Sequence, residues 1–252
     1  MFDSIFWGAV QGLTEFLPIS SSGHLVIIPA LLGREGPDLG TTAMLHLGTL
    51  AAVLVYYRSD VARMARFDRV GRRMITIIVI GTIPAVVFGL LFESTLDQLT
   101  ERPKLVAGML ILTGLIMLAT ILLRPGTKTT EQLSPTDAGG IGLAQSFALI
   151  PGISRSGMTI STGLARGMER VEAARFAFLL GIPAIAGAGL LSIAKAVSEG
   201  ADITSATIIG MVVAAIVGYW AISFLIGILG KVGLAPFGIY CVIAGILGVI
   251  VL

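Results

Sequence analysis

Long apolar runs separated by short polar turns set the pattern of this chain. Stretches that reach bilayer-crossing length, about 17 to 25 residues, recur at Thr41–Tyr57, Met74–Phe92, Leu105–Leu123, Phe176–Ala194, Ile203–Leu229 and Phe237–Leu252. Each predicts a transmembrane helix. Two further apolar segments, Phe2–Leu32 and Ala138–Ala165, are interrupted by Pro, Ser and Gly. The interruptions are copies of one another: Gln11/Gln145, Ile19/Ile153, Ser20/Ser154, Ser22/Ser156 and Gly23/Gly157 each lie 134 residues apart. Pro103 and Pro236, 133 residues apart, open matching final spans.

Composition places the whole chain in the bilayer. Of 252 residues, 55% are hydrophobic and 13% charged, with a mean hydropathy of +0.95, which excludes an ordinary soluble domain and predicts a single integral membrane domain over residues 1–252. Met1-Phe2-Asp3-Ser4 has neither a basic region nor a small-residue cleavage site after it, so the N-terminus is expected to be retained rather than removed as a signal peptide. The lone Cys241 excludes an intrachain disulfide and argues against a thiolate metal site. A formal charge of +2 gives no reason to expect a nucleic-acid partner.

Loop charge then orients the spans, since short basic loops stay cytoplasmic. Arg58–Arg73 holds six Arg against two Asp, a net +4, and is placed inside. Alternation puts Gly33–Gly40, Glu93–Lys104 and Lys195–Asp202 (each net −1) outside, and Arg124–Asp137 (net 0) and Gly230–Pro236 (net +1) inside. Ala138–Ala165 must then enter and leave on the cytoplasmic side, and Phe2–Leu32 is read as a second hairpin opening outward. Taken instead as one crossing, Phe2–Leu32 would move the N-terminus to the cytoplasm. The expected fold is all-α and polytopic: six transmembrane helices and two re-entrant hairpins, with inverted repeats at about 1–126 and 135–252, as in many transport folds.

Glu15, Arg155, His24 and His46 are the ionisable groups left inside apolar segments, where a charge is costly and marks function by default. Gln11 and Glu15 share a helix face, as do Ser21 and His24, and Arg155 and Thr159. Each break also starts a short helix with Ser at its N-cap and free N–H groups, an anion site. Two such ends with Arg155 as a bidentate fork suit a phosphate or diphosphate. Ser21 is the candidate nucleophile and His24 its base, with Glu15 orienting the imidazole or holding a divalent cation. The Ser cluster could alternatively only cap a helix, and Glu15 could only pair with Arg155. His46, without a Ser or carboxylate at helical spacing, is expected to be a packed histidine. Glycines such as Gly187, Gly189 and Gly210 are expected to permit close helix packing.

At these residues the chain resembles the bacterial undecaprenyl-diphosphate phosphatase, or bacitracin-resistance, family. Gln11 to Glu15 and Pro18 to His24 match its first motif, with Gln11 where a Glu also occurs, and Pro151 to Thr159 match its second. The resemblance implies removal of the terminal phosphate of undecaprenyl diphosphate at the bacterial inner membrane, and the outward-opening first hairpin independently puts the nucleophile on the external side. The resemblance further implies catalytic roles for Ser21, His24 and Glu15 and a diphosphate clamp of Ser154, Arg155 and Thr159. Ser20, Ser22, Ser156 and Gln11 are expected to bind substrate beside them. Mg2+ or Ca2+, held by Glu15, and a homodimer are implied in the same way.

Two rivals have weaker support. Gly33-Arg34-Glu35-Gly36-Pro37 matches a pentapeptide of chloride channels, but without any companion motif. A lipid-phosphate or anion transporter would use the same inverted-repeat cavity, although a nucleophile beside a base favours an enzyme.

Overall fold

The computed structural model describes residues 2–198 and 204–252, and in them the chain is helical with one isolated bridge, Lys128 to Met168. The order is α1 (Phe2–Phe16), α2 (Ser21–Leu32), α3 (Leu39–Tyr56), α4 (Arg58–Ala65), α5 (Arg69–Thr100), α6 (Pro103–Ala119), α7 (Pro135–Phe147), α8 (Arg155–Ala165), α9 (Arg170–Ser198), α10 (Ser205–Val232) and α11 (Ala235–Val251). Five helical stretches among these residues, 39–56, 69–100, 103–122, 170–196 and 205–232, are long and apolar enough to cross a membrane, while α11 is a shorter apolar helix of 17 residues. The chain is therefore a multi-pass membrane protein. Part of the acidic loop expected at Lys195–Asp202, and the expected span start at Ile203, lie outside the described residues.

Helix ends depart from the hydropathy boundaries where polar residues continue the helix. α5 starts at Arg69 behind an Asp68 N-cap that accepts from the Gly71 N–H at 2.8 Å, and it runs two turns past Phe92. Most of the basic loop is itself helix: Arg58–Ala65 forms α4. Arg175 on α9 gathers Asp60 of α4, Glu131 and Glu172, fixing this end of the bundle. His46 of α3 lies beside Gly189 of α9, whereas Asp60, just past the end of α3, meets Arg175 near the start of α9. The two helices are thus antiparallel.

Two broken segments lie between the long helices. α1 packs on α2 and α7 on α8. Each first leg rests on a long helix of the other half, α1 on α10 and α7 on α5, so the pairings are reciprocal. Both contacts are built on small residues, which let backbones approach closely. A Cβ at Gly8 would sit 2.6 Å from the Gly210 carbonyl oxygen, one at Gly12 would sit 2.8 Å from that of Ala214, and one at Gly142 would overlap the Gly81 backbone. α6 and α11 meet in the same way at Gly114 and Gly238. Gly210 thus packs as expected, but a Cβ at Gly187 would meet nothing within 4 Å. Gly142→Val should separate α7 from α5. Because both faces are backbone, relaxation is limited, and the expected loss is about 1–3 kcal/mol or more, read as a lowered thermal midpoint in detergent.

Gly33–Pro37, the chloride-channel-like stretch, closes α2. Gly33 takes a φ of 58° and Arg34 donates its N–H to the Pro29 carbonyl, the left-handed cap of a helix C-terminus. Placed there, Gly33 and Arg34 cover helix carbonyls and do not present the free N–H groups that make a helix N-terminus an anion site.

Candidate active site

Both broken segments turn on the same local device. Ser20 caps α2 by accepting the Gly23 N–H at 3.2 Å, and Ser154 caps α8 by accepting the Gly157 N–H at 3.1 Å. In each copy the cap hydroxyl lies beside the next-but-one serine, Ser20 to Ser22 at 3.4 Å and Ser154 to Ser156 at 3.3 Å. The backbone strain is placed differently. In the second copy Gly152 takes the positive φ of 92°, whereas in the first Ser20 itself sits at φ 70°. A side-chain-bearing residue there costs on the order of 1–3 kcal/mol and persists only where its surroundings fix it. The Ser20 carbonyl is fixed by His24, whose Nδ1 lies 2.8 Å away.

The two turns touch. A Cβ at Gly23 would sit 3.2 Å from the Gly152 Cα, and Ser156 donates its hydroxyl to the Leu17 carbonyl at 3.3 Å. Phe16, fully buried against Phe178 with ring centroids 5.6 Å apart, wedges the end of α1 between α9 and α10. The second turn is held by Thr113 of α6, which donates to the Gly152 carbonyl at 3.0 Å and accepts from the Ser154 N–H at 3.1 Å.

Glu15 is the centre of the site. Its Oε2 accepts from the Ser21 hydroxyl at 2.6 Å and from Gln11 Nε2 at 3.1 Å, and its Oε1 pairs with Arg155 at 3.2 Å. Ser21 and Arg155 are the first residues of α2 and α8 and occupy one position of the repeat. Where the first copy has Glu15, the second has Leu149. One shared scaffold thus presents a hydroxyl from one side and a guanidinium from the other. The groups open on a cavity of about 180 Å³ whose polar wall is Thr14, Glu15, Ser20, Ser21, Ser22, Ser154, Arg155 and His46, with a mostly apolar wall from Leu149, Ile153 and Ile185.

Several expected placements change. His24 does not bond Ser21. Its Nε2 lies 2.7 Å from the Tyr240 hydroxyl of α11, 216 residues away, with the rings stacked, so both ring nitrogens are engaged elsewhere and the serine turns to Glu15. Thr159 and Ser156 are not among the described residues that line the cavity. Thr159 donates to the Arg155 carbonyl at 2.8 Å, inside its own helix, and Ser156 ties the two turns. Gln11 donates to Glu15, and its own Oε1 is buried with no partner among the described residues. His46 is half-buried against α9 and also lines the cavity. Its cavity neighbours come from α1, α2, α8 and α9, so no spacing along α3 could have signalled them. Tyr240 and Thr113 were silent in the sequence for the same reason.

The donor set does not form a cation cage by itself. Among the described residues no three His, Cys, Asp or Glu side chains converge, and both oxygens of Glu15 are engaged, one of them by a guanidinium. Hard cations need several oxygen ligands.

Such a cavity, with an arginine, a serine and two helix N-termini inside a multi-pass bundle, has the kind of donors that hold an anion. A family model described as Bacitracin resistance protein BacA matches residues 4–247, and the chain belongs to that family. Among its relatives, the undecaprenyl-diphosphatase of Halothermothrix orenii is 41% identical over 252 residues, covering 99% of this chain and 97% of the relative. That of Rubrobacter xylanophilus is 38% identical over 255 residues, covering 95% and 94%. The undecaprenyl-diphosphatase of Thermodesulfovibrio yellowstonii is 42% identical over 243 residues, covering 95% and 93%.

Proposed function

We propose that the chain is an integral membrane phosphatase that hydrolyses undecaprenyl diphosphate to the monophosphate and inorganic phosphate, recycling the carrier lipid of cell-wall synthesis and so opposing bacitracin. The observation that carries this reading is the contact of Ser21 with Glu15 at 2.6 Å, beside Arg155 and in an open cavity. A serine hydroxyl becomes a nucleophile when an adjacent base takes its proton. Here Glu15 is placed to take it, while Arg155 and the free first-turn N–H groups of α2 and α8 hold the diphosphate oxygens. Attack forms the Ser21 Oγ–P bond, breaks the bridging P–O bond and releases the lipid monophosphate. His24 acts from outside the cavity by holding the strained Ser20 carbonyl that sets the turn.

The same reading gives the site its place in the membrane. α1, α2, α7 and α8 have 15, 12, 13 and 11 residues, about 17 to 22 Å each at about 1.5 Å per residue, short of the about 30 Å hydrocarbon core. Both pairs therefore re-enter, leaving six spans, and the reciprocal pairings α1 with α10 and α7 with α5 support inverted repeats of about 1–126 and 135–252. On α3 the cavity residue His46 lies nearer the Asp38 end than the Tyr56 end. By loop charge Asp38 is external, so the head group enters from outside while its polyprenyl tail stays in lipid. A divalent cation, Mg2+ or Ca2+, is the expected cofactor; Glu15 is the carboxylate of the cavity lining that could touch it, and as no set of protein ligands converges there among the described residues, its other ligands would have to come from substrate and water. A homodimer is the expected assembly.

A lipid diphosphate in detergent micelles separates hydrolysis from transport, which has no meaning there. Purified protein should release inorganic phosphate from C15 or C55 diphosphate with divalent cation present. No release under those conditions would favour a transporter.

A further inference from the structure

Of the two histidines in this membrane domain, the one that lines the cavity of Ser21, Glu15 and Arg155 is His46, and we infer that it is the base that activates water to hydrolyse a phosphoserine formed at Ser21. The inference rests on the phosphatase reading above. His46 is half-buried on α3 and lines the cavity with Glu15, Ser21 and Arg155. Its Nδ1 lies 2.8 Å from the Thr42 carbonyl oxygen, one turn back in α3. A carbonyl only accepts, so Nδ1 carries the proton, and the neutral ring keeps its lone pair on Nε2. No partner for that nitrogen is found among the described residues. His24 is the opposite case, since both of its nitrogens are occupied by Ser20 and Tyr240 and it lies outside the cavity lining.

The chemistry asks for this second base. In the first half-reaction the Ser21 proton passes to Glu15 and the leaving group is a phosphate monoester. With a second pKa of about 6, such a group leaves without needing that proton. In this scheme Glu15 carries that proton into the next step. In the second half-reaction a water O–P bond forms and the Oγ–P bond breaks. The departing serine oxygen is strongly basic and takes the proton back from Glu15. Glu15 is then an acid in this step and cannot also accept the proton of the attacking water. That proton goes to His46 Nε2 and from there to solvent in the cavity. Atoms and charge balance with one water consumed for each phosphate released.

His46→Asn tests this, because the Asn amide can donate to the Thr42 carbonyl as Nδ1 does but supplies no base at the Nε2 position. Purified His46→Asn is mixed with C15 diphosphate labelled in its terminal phosphate, and lipid monophosphate, free phosphate and protein-bound label are followed together. The expected result is one rapid equivalent of lipid monophosphate per chain, then turnover lowered about 10²–10⁴-fold, with label retained on the protein. His46→Ala should behave alike and regain turnover with added imidazole, and thermal midpoints check that both variants are folded. Wild-type turnover, a change confined to KM, or slow turnover without retained label would each overturn the assignment. Ser21→Ala, run alongside, separates the two ideas: if it remains active the phosphoserine reading has failed. If it is inactive while His46→Asn turns over normally, only the role of His46 has failed.

Discussion

Ser21→Ala abolishes phosphate release, with the rate falling by roughly 10⁴-fold or more, the order of loss seen when a nucleophile is removed from a unit that acts together. The fold should persist. Ser21 is the first residue of α2, and the cap that starts this helix is Ser20, so the loss of one hydroxyl removes a single hydrogen bond to Glu15. Glu15 keeps Gln11 and Arg155 as partners. Phosphate release and thermal unfolding, measured on the same preparation, check both halves of the expectation. Activity within tenfold of wild type would remove Ser21 from the chemistry.

Arg155→Ala should lose both activity and stability, for separable reasons. Among the described residues Arg155 is the one Lys or Arg in the cavity lining, and removing the fork that holds transferring phosphate oxygens should lower turnover by about 10³-fold or more. The Glu15 carboxylate is also left buried, and breaking such a pair from one side costs about 3–5 kcal/mol. The side chains of Glu15 and Arg155 are 8% and 15% exposed, so solvent screens little of this. Adding Glu15→Gln to Arg155→Ala should therefore recover much of the thermal stability and none of the activity. Arg155→Lys keeps the charge but not the planar fork, and should fall between the two in turnover. A double variant no more stable than Arg155→Ala would mean that the pair is not the buried contact described here.

Much of the site could be read from the sequence because its residues cluster in two short, repeated, polar breaks. Glu15, Ser21 and Arg155 were each legible as polar groups at a proline- and glycine-rich turn in an apolar background, and the helices followed from hydropathy. Legibility ended where partners come from distant elements. Helical spacing placed His24 beside Ser21, but the rotation of the turn at Ser20 gives the serine to Glu15 and the histidine to Tyr240 of α11. Thr159 matched the second motif, yet its hydroxyl is spent inside its own helix. His46 carried no local signal, because the neighbours that define it lie on other helices. The same holds for the helix ends: hydropathy sees the apolar run and not the Asp68 cap or the α4 helix in the basic loop.

The 134-residue offset gains its meaning from these contacts. Two copies of one Ser-capped turn, seated on the long helices of opposite halves, meet at Gly23 and Gly152. The equivalent first helical residue is a hydroxyl in one and a guanidinium in the other. Divergence at that single position, with Glu15 against Leu149 one turn before each break, makes an asymmetric site from a symmetric scaffold.

The central claim is that Ser21, with its proton taken by Glu15, receives the terminal phosphate. Rapid acid quench of purified protein turning over a labelled C15 diphosphate, followed by digestion and mass mapping, tests it most directly. Phosphate covalently bound to Ser21, and absent from Ser21→Ala, is the predicted result; turnover with label on no residue, or on a residue other than Ser21, would contradict it.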